Sequence, residues 1–163
     1  MIVLGIDPGS RVTGYALVCK EGARFRLSEA GLIRSNVKAD IPTRLQEIHS
    51  GLVEVIKAHS PDTAAIESIF RYKSSESALR LGQARGVALL ALAQHDLSVS
   101  EYNPMVIKKS IGGTGRAGKE ELGLIVTKLL GLAQPLPADA ADAAAIAMTH
   151  LLHSSFQHHL RKR

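Results

Sequence analysis

Four carboxylates stand where the chain could gather them. Asp7 closes one apolar run, Glu67 closes another, and Asp139 and Asp142 lie three residues apart in an alanine-rich stretch. At ~100° per residue, two helical positions three apart differ by only ~60° around the axis, so both aspartates point the same way. Four acids converging on one spot repel strongly unless a cation holds them. A ligand set made only of oxygens suits a hard cation, Mg²⁺ or Mn²⁺. Each acid has a plainer alternative. Asp7 could brace an Asp-Pro-Gly turn, and Glu67 could be a solvated strand end. Asp139 and Asp142 could complement a helix dipole, worth ~0.3–1 kcal/mol each. Context favours a shared site: two of the acids directly follow buried strands. The aspartates sit among Ala138, Ala140, Ala141, Ala143, Ala144 and Ala145, as expected where a helix start packs close to a sheet.

Basic residues form two clusters. Arg71, Lys73, Arg80 and Arg85 face the single acid Glu76, while Lys108, Lys109, Arg116 and Lys119 span a stretch with no acid. Such clusters suit a polyanion bound through counterion release, or simply a solvated surface. Phe70 and Tyr72 interleave with Arg71 and Lys73. Spacing alone makes Phe70 a core residue, whereas a loop aromatic between cations suits stacking on unpaired bases. Gly113, Gly115 and Gly118 satisfy G-x-G-x-x-G, and Gly113, Gly118 and Lys119 nearly satisfy a phosphate-loop motif. Glu120 replaces the hydroxyl that the second motif needs, and no buried strand precedes either. No nucleotide cofactor is expected. His49, His59, His95, His150, His153, His158 and His159 read as surface residues, and the lone Cys19 as a packed one.

The elements that must position these groups follow from periodicity and turn chemistry. Ile2–Ile6 reads as a strand ended by Asp7-Pro8-Gly9-Ser10, Val12–Lys20 as a second and Phe25–Ile33 as a third. Pro42 opens a helix with Leu45, Ile48, Leu52, Val55 and Ile56 on one stripe. A strand over Thr63–Ile66, a long helix from Ser74 to about Gln94 and a strand over Leu97–Tyr102 come next. Pro104–Ile111 reads as a short helix, Glu120–Leu130 as a longer one, and Ala138 to about Ser154 as the last. The order βββαβαβαα predicts an α/β domain with a mixed five-stranded sheet. If the first and fourth strands are parallel neighbours, Asp7 and Glu67 end side by side at the carboxyl edge of the sheet, where sites of open α/β sheets gather.

Composition bounds the class. The 163 residues are 45% apolar and 21% charged, with a net charge of +5 and an apolar content ample for a core. Mean hydropathy is +0.07 and the pI is near 9.6. Three of the positive charges are Arg161, Lys162 and Arg163. No apolar run approaches the ~20 residues of a membrane helix, and the first residues lack the basic region of a signal peptide. A lone cysteine suits a reducing compartment, and a cytoplasmic protein is expected. The reading is one domain over residues 1–156 and a basic, frayed tail over 157–163.

Four blocks carry a family resemblance: Gly-Ile-Asp-Pro-Gly-Ser-Arg-Val-Thr-Gly-Tyr at 5–15, Ala-Ile-Glu-Ser-Ile-Phe at 65–70, Ala-Leu-Arg-Leu-Gly-Gln-Ala-Arg-Gly-Val at 78–87 and Asp-Ala-Ala-Asp-Ala-Ala-Ala-Ile-Ala at 139–147. They resemble, in order, the RuvC family of bacterial Holliday junction resolvases, over about residues 1–153. The resemblance implies an RNase H-like fold, a homodimer, and Mg²⁺-dependent symmetrical nicking of four-way DNA junctions in recombination and repair. It implies two metal ions per subunit, with Mn²⁺ as a substitute, and work alongside the RuvA–RuvB branch-migration complex. By position, the acidic cluster falls on Asp7, Glu67, Asp139 and Asp142, where some members have His in place of Asp139. Phe70 matches an aromatic that wedges into the junction centre, and Lys108 and Lys119 match lysines near the scissile phosphate. Arg71, Lys73, Lys109 and Arg116 join the expected DNA surface.

Two other classes fit parts of the sequence. A junction-binding scaffold without catalysis would not need all four acids. An actin-like kinase or ATPase, whose first phosphate loop has the look of Gly-Ile-Asp-x-Gly, needs two such domains. The small, apolar face of the Ser74–Gln94 helix is the candidate dimer interface, with a core role as its alternative.

Overall fold

The computed structural model describes residues 1–68, 75–113 and 118–160. Its sheet has five strands: β1 (Ile2–Asp7), β2 (Val12–Glu21), β3 (Arg24–Arg34), β4 (Thr63–Glu67) and β5 (Val99–Tyr102). Their spatial order is β3-β2-β1-β4-β5. The first three form an antiparallel meander, turned between β2 and β3 at Gly22, whose φ of 59° suits glycine. β4 pairs parallel with β1, and β5 parallel with β4. The expected mixed sheet is present, and Ile6 pairs with Ile66, so Asp7 and Glu67 emerge together at one edge.

Among the described residues, five helices cover the sheet: α1 (Ile41–His59), α2 (Ser75–Ala93), α3 (Pro104–Gly112), α4 (Lys119–Leu129) and α5 (Ala138–Leu160). Asp40 caps α1 by accepting the Thr43 N–H at 3.1 Å, and Asn103 caps α3 by accepting the Val106 N–H at 2.9 Å; both helices carry Pro in their first turn. Side chains alternate along each strand, so the sheet separates two cores. Leu4, Ile6, Leu17 and Ile66 pack with Ile48, Leu52 and Leu92 of α1 and α2. Val3, Ala16, Val18 and Ala65 pack with α3, α4 and the buried run of α5 from Ala143 to Met148.

Three details differ from the sequence reading. Three helices follow β5, one more than the order βββαβαβαα contains, because the capped segment at Pro104 is a full helix. β5 starts at Val99 rather than Leu97, since Leu97 donates its N–H to Leu92 O at 3.1 Å and belongs to the turn that ends α2. The last helix runs to Leu160 instead of about Ser154, and no Gly or Pro interrupts it.

Candidate active site

The acids stand at the carboxyl edge of the sheet. β1 delivers Asp7 after four buried residues, and β4 delivers Glu67 from the neighbouring parallel strand. α5 crosses this edge with Asp139 and Asp142 in its first turns. It comes unusually near: a Cβ on Gly14 would lie 2.0 Å from Asp139 O, and one on Gly5 2.0 Å from Ala143 O. Only glycine permits that approach.

The turn after Asp7 is held by groups from three elements. Buried Thr13 donates its hydroxyl to Gly9 O at 3.1 Å and accepts the Gly9 N–H at 3.3 Å. Ser35, also buried, donates its hydroxyl to Ser10 O at 3.0 Å and its N–H to Arg11 O at 3.0 Å. Arg44 of α1 donates to Ser10 O and to Ser35 Oγ. The sequence reading did not include Arg44, Ser35 or Thr13. No local motif marks Arg44 or Ser35, because their partners lie far away in sequence, whereas Thr13 reaches back only to Gly9.

Carboxylate oxygens of Asp7, Asp139 and Asp142 lie within 4.8 Å of one another. Glu67 lines the same cavity of about 260 Å³ with Asp7, Asp142, Lys108 and Lys119, against apolar walls from Ile107, Leu122 and Ile146. Burial, then the charges of Asp142, Glu67 and Asp139, push the Asp7 carboxyl up to about 7 against the opposing pull of Lys119. Burial and Asp142 also raise Glu67. Such a group is hard to ionise without added positive charge. Lys119 supplies some of it, with Nζ 2.6 Å from Asp142 Oδ2 and 3.6 Å from Asp139 Oδ1. Burial opposes the Lys119 charge, but its hydrogen bond to Asp142 and the surrounding acids hold its pKa above the usual value. Asp7, Asp139 and Asp142 fit a divalent metal, since they offer hard oxygens, mutually close and short of countercharge, while Glu67 shares the cavity but not that close group.

The basic clusters are thinner than their sequences suggest. Arg80 pairs with Glu76 at 2.5 Å, and Arg85 pairs with Glu101 at 2.6 Å while donating to Glu67 O at 3.4 Å. Lys108 faces the cavity, whereas Lys109, on the same helix, is exposed and does not line it. Phe70, Arg71, Lys73 and Arg116 lie outside the described residues, as does Tyr72. The glycine motif is preceded by α3 rather than a strand, with Gly113 and Gly118 acting as helix caps. His150 bonds to the Tyr102 hydroxyl at 3.1 Å and His153 to Ser110 Oγ at 3.2 Å, so neither joins the acids. Among the described residues, no helix is long and apolar enough to cross a membrane.

The α2 helix has two apolar faces. Ala84, Ala88, Ala91 and Leu92 are buried against the sheet. Leu79, Gly82, Gly86, Leu90 and Ala93 form an exposed stripe on another side, at spacings of three and four.

Comparison with known proteins places this geometry. The family profile described as crossover junction endodeoxyribonuclease RuvC matches residues 3–150. A crossover junction endodeoxyribonuclease RuvC of Haemophilus influenzae is 47% identical over 159 residues, covering 98% of this chain and 82% of the relative. The RuvC of Thermus thermophilus, solved in complex with Holliday junction substrate, superposes with a TM-score of 0.87 at 34% identity, covering 96% of both chains. The yeast mitochondrial Holliday junction resolvase shares the fold, with a TM-score of 0.72 at 15% identity over 98% of this chain and 81% of that one.

Proposed function

The chain belongs to the RuvC family of crossover junction endodeoxyribonucleases, and from that premise we propose that Asp7, Glu67, Asp139 and Asp142 form its metal-dependent nuclease centre. The protein is an endonuclease that resolves Holliday junctions, built on an RNase H-like sheet, and its family works with divalent metal. The observation that carries the site assignment is the convergence of Asp7, Asp139 and Asp142 within 4.8 Å, from opposite ends of the domain.

Magnesium, two ions per subunit, is the reading these ligands support best, with manganese as a substitute. When bound, such ions would activate a water and neutralise the leaving oxygen of an in-line displacement at phosphorus. Asp7, Asp139 and Asp142 would hold the cations, with Glu67 from the same cavity. Lys119 neutralises Asp139 and Asp142 in the free protein and is close enough to the cavity to stabilise charge on phosphate oxygens. Lys108, which also lines the cavity, would stabilise the same oxygens. The products are a 5′-phosphate and a 3′-hydroxyl.

A four-way junction is nearly twofold, so paired symmetrical nicks call for two copies of this site in a homodimer. The exposed α2 stripe is the face we assign to that contact, and Leu90→Glu should shift sedimentation towards monomer. Phe70, Arg71, Lys73, Lys109 and Arg116 complete the DNA surface in this reading, with Phe70 as the wedge. Cytoplasmic action beside the RuvA–RuvB complex completes it. The test is a labelled four-way junction incubated with Mg²⁺ or with EDTA. The nuclease nicks opposed strands at symmetrical positions in Mg²⁺ and binds without nicking in EDTA. Binding in both and nicking in neither would make it a scaffold.

A further inference from the structure

We propose that the outer edge of β3, with the groove beside it, is a docking site for an acidic, extended protein segment that joins the sheet as a sixth strand. β3 is the longest strand, 11 residues, and lies at the end of the sheet order, so among the described residues no strand pairs with its outer side. An open edge presents unpaired N–H and C=O groups at every second residue and is a template for strand addition. The other edge strand, β5, has only four residues.

The start of β3 adds side-chain selectivity. Between the β2–β3 hairpin and the end of α4 lies a groove of about 720 Å³. Phe25, Leu27, Leu129, Leu130 and Leu132 give it apolar surface, and Leu129 is 42% exposed. Arg24, Arg26 and Lys128 supply its positive charge. Glu21 is the acid of the groove, and Arg26 neutralises it at 2.9 Å. Arg24 and Lys128 have no ion-pair partner among the described residues. Along β3 the order Arg24-Phe25-Arg26-Leu27 alternates exposed cations with half-buried apolar groups. A strand alternating acids with apolar residues matches that pattern through cross-strand pairs.

Location favours a protein segment over DNA. Asp7 lies opposite Gly14 in the β1–β2 register, and Glu21 is at the far end of β2, roughly 24 Å away at ~3.4 Å per residue. A partner can therefore sit on the edge while the carboxylates engage a junction. A phosphodiester backbone could use the cations, but has neither the apolar side chains nor the peptide groups that this edge is built to meet.

The probe is a fluorescein-labelled octapeptide alternating aspartate with leucine, titrated into the full chain and read by anisotropy, beside a lysine–leucine peptide. Saturable binding of the acidic peptide is expected, with junction cleavage unchanged at saturation. The Arg24→Glu/Arg26→Glu variant should lose at least ~10-fold in affinity for the acidic peptide and gain preference for the basic one, which also certifies that the variant is folded. Three results overturn the proposal. They are no saturable binding of the acidic peptide, equal binding by the variant, or loss of junction affinity in the variant without peptide binding, which would make the groove a DNA surface.

Discussion

On one face of the sheet, α5 lays down Ala143, Ala144, Ala145 and Ala147, all fully buried, so near that Gly5 and Gly14 have no room for a methyl group. On the other, α1 and α2 press Ile48, Leu52 and Leu92 onto Leu4, Ile6 and Leu17. Large side chains fill volume and tolerate small displacements of the backbones behind them, by rotamer change and repacking. Backbone set against backbone has no such slack, because an added atom must move the whole helix. The face that carries Asp139 and Asp142 is the one with a fixed separation. The contrast teaches that this fold places its closest backbone packing under the helix that carries Asp139 and Asp142, and uses ordinary aliphatic packing for cohesion.

Experiments can break or sharpen that contrast. Asp7→Asn, at the site itself, should reduce single-turnover junction cleavage by at least ~10²–10³-fold, with binding in EDTA unchanged by gel shift. Gly14→Ala forces a Cβ to within 2.0 Å of Asp139 O. It should cost ~1–3 kcal/mol by urea denaturation and lower cleavage by folded protein on the order of 10²-fold, as expected of a displacement near 1 Å. Leu52→Ala on the opposite face should cost ~2–5 kcal/mol in stability, yet leave cleavage by the folded fraction unchanged. If Gly14→Ala and Leu52→Ala affected cleavage alike, the two faces would not differ in the way described.

The smallest effect is the pH response of the metal-free protein. The Asp7 carboxyl is raised from 3.8 to about 7 in the fold, so between those values the folded state keeps a proton that the unfolded chain has released. Stability therefore falls as pH rises through that window. Urea midpoints in EDTA at pH 4.5 and 8 should show the wild type losing roughly 1–3 kcal/mol more than Asp7→Asn. Equal losses would mean that Asp7 is not the strained acid of the cluster.

Much of this site was legible in the sequence, for a definite reason. Asp7 and Glu67 each end a short buried strand, and parallel pairing of those strands leaves them no option but adjacency. The three-residue spacing of Asp139 and Asp142 orients them before any packing is known. Contacts between remote elements were not legible. Arg44 reaches Ser10 across 34 residues, and nothing near either position announces it. Arg85 looked like part of a DNA-binding cluster because its neutralising partner, Glu101, lies on β5. Leu97 reads as strand by composition but closes a helix through one backbone hydrogen bond, and composition does not encode that bond. The end of α5 was placed too early because no Gly or Pro marks where this helix stops, so composition leaves its last turns undefined.

Lys119, Asp139 and Asp142 all enter from the later part of the chain, while Asp7 belongs to the first strand. A polypeptide leaving the ribosome thus exposes Asp7 on β1 and Glu67 on β4 early, and brings Asp139 and Asp142 beside them only when the last helix has emerged and docked. On the proposed reading of the site, the four carboxylates cannot meet before that docking.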